Sequence, residues 1–174
     1  MDEQKEVLNE GVSDGYDYDA ADRLFDFMGG EGGLTALVCE SDPAVREKIS
    51  EGLKGLDYQI TTPDKAKEAL KAMRFHVFDV VVVNELFDTT DPETNEVMLY
   101  LENLNMSTRR RFFVILVSDR YRTMDNLAAF NRSVNLIINL KNIEDAGKVI
   151  KQGLIDHRAF YHIFQETLQK IGKV

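Results

Sequence analysis

Cysteine occurs once and proline three times in the 174 residues of this chain. A lone Cys39 cannot close an internal disulfide, which excludes a disulfide scaffold, and no Cys and His spacing resembles a zinc site. Long apolar runs are missing as well. Stretches such as 112–117 fall far short of the roughly 20 residues that cross a bilayer. Residues 1–6 are acidic, where a secretory signal begins basic and continues apolar. A soluble chain is expected, placed in the cytoplasm. Its length suits one domain with an appendage, and such a domain buries enough surface to need no metal or disulfide for its core.

Basic charge is scarce at one end only. Residues 1–31 hold ten acids and two bases, Lys5 and Arg23, a net charge of −8, whereas the rest is nearly neutral with 20 acids and 19 bases. With Gly11, Gly15 and the cluster Gly29, Gly30, Gly32 and Gly33, residues 1–33 have too little apolar content to fold alone. They are expected to form an acidic flexible leader. Leu24, Phe25, Phe27 and Met28 just before the glycines are apolar enough to dock on a groove of this domain or of a partner.

From Leu34 onward two patterns alternate. Short β-rich runs lie at 34–39, 58–61, 78–83, 112–118 and 135–139. Helical spacing fills 43–56, 64–75, 93–104 and 123–131, and a fifth helix begins near Ile143. Asp42 followed by Pro43 is a helix start, since the aspartate can cap and the proline has no N–H to leave unpaired. Asp64 after Pro63 reads the same way. Runs such as 80–83 are apolar without alternation, as strands covered on both faces are. Strand and helix in strict succession predict an α/β domain with a doubly wound, five-stranded parallel sheet over 34–174. In such a sheet the functional groups gather beyond the carboxyl ends of the strands.

Those ends carry a resemblance. LVCESDPAVRE is similar to the first strand and helix of a response regulator receiver domain, FDVVVVNELF to the strand bearing its phosphoacceptor aspartate, FVILVS to the strand ending in Ser or Thr, and VNLIINL to the strand ending in lysine and proline. The resemblance covers 34–155 and implies a flavodoxin-like sheet of order 2-1-3-4-5, with a role in two-component signalling. It also implies a phosphorylation pocket at Glu40, Ser41, Asp42, Asn84, Ser118 and Asn139. Most of the chemistry is absent there. Asn84 stands at the nucleophile position, and an amide is a very poor nucleophile. Glu40 matches the first metal-binding acid and Ser41 replaces the second, with Asp42 next door. Asn139 and Leu140 replace the lysine and proline, Lys141 comes two residues late, and Leu136 replaces an aromatic switch. The expectation is a pseudo-receiver: no catalytic turnover, no cofactor and no bound metal.

Alternatives remain. Glu85, Asp88 and Asp91 lie in an acidic loop, so a phosphoryl acceptor within 85–91 is one. Nucleotide-binding enzymes of similar layering need glycines after the first strand, and 39–47 has none. His76, His157 and His162 are scattered and read as structural. Arg109, Arg110, Arg111, Arg120, Arg122 and Arg132 suggest phosphate or nucleic-acid contacts, against which the near-neutral domain and acidic leader count. An acidic partner or the chain's own leader suits them better.

The last helical pattern runs from Ile143 to Ile171, about 40 Å if continuous, longer than a receiver requires. Ile150, Leu154, His157, Tyr161, Phe164, Leu168 and Ile171 form a heptad seam, broadened by Phe160 and Ile163. A bent or second helix folding back on the sheet is one reading of the extension at about 156–174. A homodimer or a foreign signalling partner on Ile150, Leu154, Tyr161, Phe164, Leu168 and Ile171 is the other. The leader resembles a tether to a preceding domain of a longer protein.

Overall fold

The computed structural model describes residues 33–172, the side chains of Gln165 and Leu168 excepted. Residues 1–32, with Leu24, Phe25, Phe27 and Met28 of the expected leader, lie outside the described residues. Five strands, β1 (Leu34–Cys39), β2 (Tyr58–Thr61), β3 (Val80–Asn84), β4 (Phe113–Ser118) and β5 (Leu136–Asn139), form one sheet in the order β2-β1-β3-β4-β5. Every pairing is parallel, with Cys39 beside Val83 and Asn84 beside Val117. The helices are α1 (Pro43–Lys54), α2 (Ala66–Phe75), α3 (Glu96–Glu102), α4 (Met106–Arg109), α5 (Asn126–Asn131) and α6 (Ala146–Lys170).

Side chains alternate across a strand, and here both faces are apolar. Leu37, Cys39, Val81, Val83, Leu116 and Ile137 pack on one face beneath α2, α3 and α5. Ala36, Val38, Val80, Val82, Ile115 and Ile138 pack on the other beneath Ile49 and Leu53 of α1 and Ile150 of α6. Helices cover both sides of the sheet, as the unbroken apolar runs predict.

Helix starts differ from the sequence reading where a distant residue supplies the cap. Asp42 caps α1 as expected, accepting from Ala44 N–H at 2.8 Å and Val45 N–H at 3.3 Å. Asp64 does not begin α2. Its N–H donates to Glu68 Oε2, and the free Ala66 N–H is taken by Asp88 Oδ2 at 3.0 Å, from a loop 22 residues away. The expected helix 93–104 is broken in two. Pro92–Thr94 forms a 3-10 turn, and Asn95 caps α3 by accepting from Val97 and Met98 N–H. Its Nδ2 donates to the carbonyls of Asn84 and Glu85, which pulls the helix start onto the tip of β3.

The C-terminal segment is one continuous helix of 25 residues, so no second helix folds back within it. It crosses α1 at glycine on glycine: a Cβ on Gly52 would lie 2.7 Å from Gly147 Cα. This close seat corrects the expected interface. Ile150 and Leu154 are buried against the chain's own sheet, because a helix covering that sheet must spend its first apolar turns on it. His157 and Tyr161 are half-buried, Phe164 and Ile171 are exposed, and the side chain of Leu168 lies outside the described residues. No described helix is long and apolar enough to cross a membrane.

His157 stacks edge-on against Phe113 of β4, with ring centroids 5.0 Å apart. Burial first, then the guanidinium groups of Arg109 and Arg158, pushes its pKa from 6.5 down to about 4. A depressed histidine keeps the folded state neutral while the unfolded chain takes up a proton. Its contribution is therefore complete above pH 6.5 and is lost as the pH falls toward about 4. Urea unfolding should show wild type losing stability relative to His157→Phe across that window. A pH-independent difference would contradict the burial of the neutral ring.

Candidate functional site

At the carboxyl ends of the strands, the two residues closing β1 and β3 meet directly. Glu40 is 2% exposed, and the half-buried Asn84 donates through Nδ2 to Glu40 Oε2 at 2.6 Å. The other carboxylate oxygen accepts the Asp42 N–H at 2.9 Å. Asn84 Oδ1 in turn accepts the Leu86 N–H at 2.9 Å, which turns the chain out of the strand. Both oxygens of the buried carboxylate, and both ends of the amide, are thus engaged within the protein. A carboxylate at position 84 has no proton to donate to Glu40, so this junction depends on the amide nitrogen.

A second cluster lies beside it and was not legible as such. Glu85 is 3% exposed, and its Oε1 accepts from the Ser118 hydroxyl at 2.7 Å. Its Oε2 receives a fork from Arg120, with Nε at 2.9 Å and the terminal nitrogen at 2.7 Å. That hydrogen bond, more than any other influence, raises the Arg120 pKa further. A two-pronged bond to a buried carboxylate is among the stronger polar contacts a protein makes. Strand parity explains the division. Glu40 and Asn84 continue the alternation that faces α1 and α6, whereas Glu85 and Ser118 continue the one that faces α3 and α5.

Asn139 belongs to neither cluster. Its Nδ2 donates to the carbonyls of Tyr121 at 2.6 Å and Asp119 at 3.2 Å, and its Oδ1 caps the following 3-10 turn through Lys141 N–H. It ties the loop after β4 to the end of β5. Lys141 is exposed, and its side chain makes no ion pair among the described residues. Ser41 is exposed, and the Asp42 carboxylate is spent on the cap of α1. The proposed pocket of six therefore separates into Glu40 with Asn84, Ser118 with Glu85, and Asn139 alone.

The acidic loop is similarly committed. Asp88 accepts from Ala66 N–H and from Lys65, which holds its carboxyl below the usual range, and Asp91 caps the 3-10 turn through Glu93 N–H. The arginines do not form one surface. Arg109, Arg110 and Arg111 precede β4, while Arg120 and Arg122 follow it, some 20 Å away along a six-residue strand. Arg120 and Arg132 are paired with Glu85 and Glu93.

The residues do not fit a hard divalent cation. Such an ion takes several oxygen ligands, usually including more than one carboxylate. Here Glu40 is the one buried carboxylate of its cluster, and its oxygens already accept two N–H groups. Among the described residues no group of three or more His, Cys, Asp or Glu is gathered as a metal site.

Asn84→Asp would set a second carboxylate against Glu40. Two carboxylates at this spacing do not both ionise, so one holds its proton above the ordinary range. The folded variant then binds more protons than its unfolded chain, and its stability relative to wild type falls as pH rises between about 4 and 7. A loss of about 1–3 kcal/mol at neutral pH is expected in urea unfolding, with Mg²⁺ recovering part of it in the variant and none in wild type. A variant as stable as wild type at every pH would refute the amide's role.

No family model matches the sequence, and no curated protein matches it. Solved structures do match in three dimensions. The chemotaxis response regulator CheY4 of Vibrio cholerae superposes with a TM-score of 0.54 at 14% identity, covering 69% of this chain and 98% of that one. The receiver domain of the Francisella response regulator 1452 gives 0.54 at 18%, covering 72% and 98%. The signal receiver domain of an HD domain-containing protein from Pseudomonas fluorescens gives 0.53 at 14%, again covering 72% and 98%. With the sheet order and the placement of its strand ends, these matches identify the fold of the five-stranded domain as that of the response regulator receiver domain.

Proposed function

We propose that this chain is a receiver-type signalling module that works by protein–protein contact, without phosphorylation and without catalytic turnover. The observation that carries this reading is the hydrogen bond from Asn84 Nδ2 to Glu40 Oε2 at 2.6 Å. Phosphoryl uptake on a receiver needs a carboxylate nucleophile, a cation to offset the incoming charge, and a free hydroxyl. At this strand end the nucleophile is replaced by an amide turned toward Glu40, and the Ser118 hydroxyl donates to Glu85. Glu85, the carboxylate that holds the Ser118 hydroxyl, would have to release Arg120 before it could attack phosphorus. The receiver names of the structural neighbours support the signalling assignment.

A second aspect concerns the partner. At 1.5 Å per residue, α6 is about 37 Å long. Its distal half carries Phe160 and Ile163 at 80% and 77% exposure, with Phe164 at 43%. Three large apolar side chains at helical spacing on one projecting face suit a docking helix. The partner is a second copy of this chain or another signalling protein.

With acetyl phosphate or beryllofluoride and Mg²⁺, the amide spectrum of the protein should remain unchanged. Shifts clustered around Asn84, or a labile acyl phosphate found there by mass spectrometry, would overturn the reading. For the partner surface, Phe160→Asp with Ile163→Asp should abolish association of the isolated protein in sedimentation. If wild type is already monomeric at high concentration, self-pairing is removed and a foreign partner remains.

A further inference from the structure

The N-terminal ends of the strands hold a cavity of about 70 Å³ that the pocket chemistry does not use. Leu34, Tyr58, Arg110, Arg111, His157 and Arg158 line it. Its one acid, Asp79, is already engaged, accepting from the Thr35 N–H at 2.7 Å and hydroxyl at 3.3 Å. Arg110 and Arg111 are exposed and have no acidic partner among the described residues. Arg110 instead lies over the Phe164 ring, 5.5 Å from its centroid, where α6 runs past the sheet. His157 is neutral at pH 7, its pKa being pushed down to about 4, and does not add to the positive charge. The result is a basic surface continuous with the exposed face of Phe160, Ile163 and Phe164.

The chain itself carries the complement of this surface, attached at its rim. Leu34 both begins β1 and lines the cavity. Just before it, Gly33 adopts the left-handed conformation (φ 74°), which glycine allows at little cost. Residues 22–28, DRLFDFM, place Asp22 and Asp26, with Arg23 beside them, among Leu24, Phe25, Phe27 and Met28, a net charge of −1 within a segment 1–31 of net charge −8. Leu34 follows Met28 by six positions, a reach of about 20 Å when extended. The part of α6 beyond His157 is of similar length, about 20 Å to Lys170.

We propose that residues 22–28 fold back onto this basic and aromatic surface, with their carboxylates toward Arg110 and Arg111 and their apolar side chains against Phe160, Ile163 and Phe164. Attachment at Leu34 makes the contact intramolecular, so that an effective concentration in the millimolar range supports even a weak site. These apolar side chains belong to the face on which the partner is proposed to dock. The proposal builds on that partner surface, but its test reads proximity within one chain, so either reading can fail alone.

The experiment uses the full chain with Ala21→Cys carrying a nitroxide; Cys39 is wholly buried and stays unlabelled. Amides of 109–113 and 157–164 should lose most of their intensity, while those of 40–42 and 84–88 at the opposite end of the sheet keep theirs. High salt, and separately Arg110→Glu with Arg111→Glu, should restore the lost signals, since screening acts on exposed charges. Equal broadening at both ends of the sheet, or none, would overturn the proposal. So would broadening carried into a mixture of labelled chains with isotope-enriched unlabelled ones, which would make a second copy the occupant.

Discussion

The hydrogen bond between Asn84 and Glu40 joins the tips of two neighbouring strands in the middle of the sheet, and the rest of the carboxyl end is arranged around it. A buried carboxylate is costly unless its oxygens are satisfied. Here one is satisfied by a side-chain amide and the other by the backbone at the start of α1. The amide has only one face to offer, so its carbonyl is left to turn the chain at Leu86. One step further along, Glu85 is thereby delivered to the opposite side of the sheet, where Ser118 and Arg120 receive it. Two buried acids sit in adjacent clusters, each with its own donors, and neither depends on an external cation for its partners.

The fold was legible because its signals are local and repeated. Unbroken apolar runs such as 80–83 specify strands covered on both faces, and the Asp42–Pro43 pair announces α1 in two residues. Strand order 2-1-3-4-5 followed from the resemblance at strand ends and holds in the sheet. What failed was helix boundaries set by distant atoms. The cap of α2 comes from Asp88, and the start of α3 is drawn in by Asn95 reaching two carbonyls at the end of β3. Neither relation has a signature in a local window.

The site was half legible for a related reason. Residue types at the strand ends could be matched one by one, so Asn84 stood out at once. Their grouping was missed, although period two contains it: Asn84 and Glu85 are consecutive and must point to opposite faces. Arg120 was read as part of an arginine-rich stretch, when its place two residues beyond Ser118 puts it within reach of Glu85. In the last helix the heptad spacing was real, but spacing alone does not say which turns the domain keeps for itself. Ile150 and Leu154 are core, and only the distal turns are free.

The glycine crossing of α1 and α6 separates two obligations along one helix. At Gly52 and Gly147 a methyl group would force the two backbones apart, so that crossing is closed to larger residues. Two turns past Leu154 the same helix stands clear of the sheet, and Phe160 and Ile163 touch little that would resist replacement. A scaffold built this way can exchange the side chains at its tip while its anchorage stays untouched, and related chains could diverge there without diverging in shape.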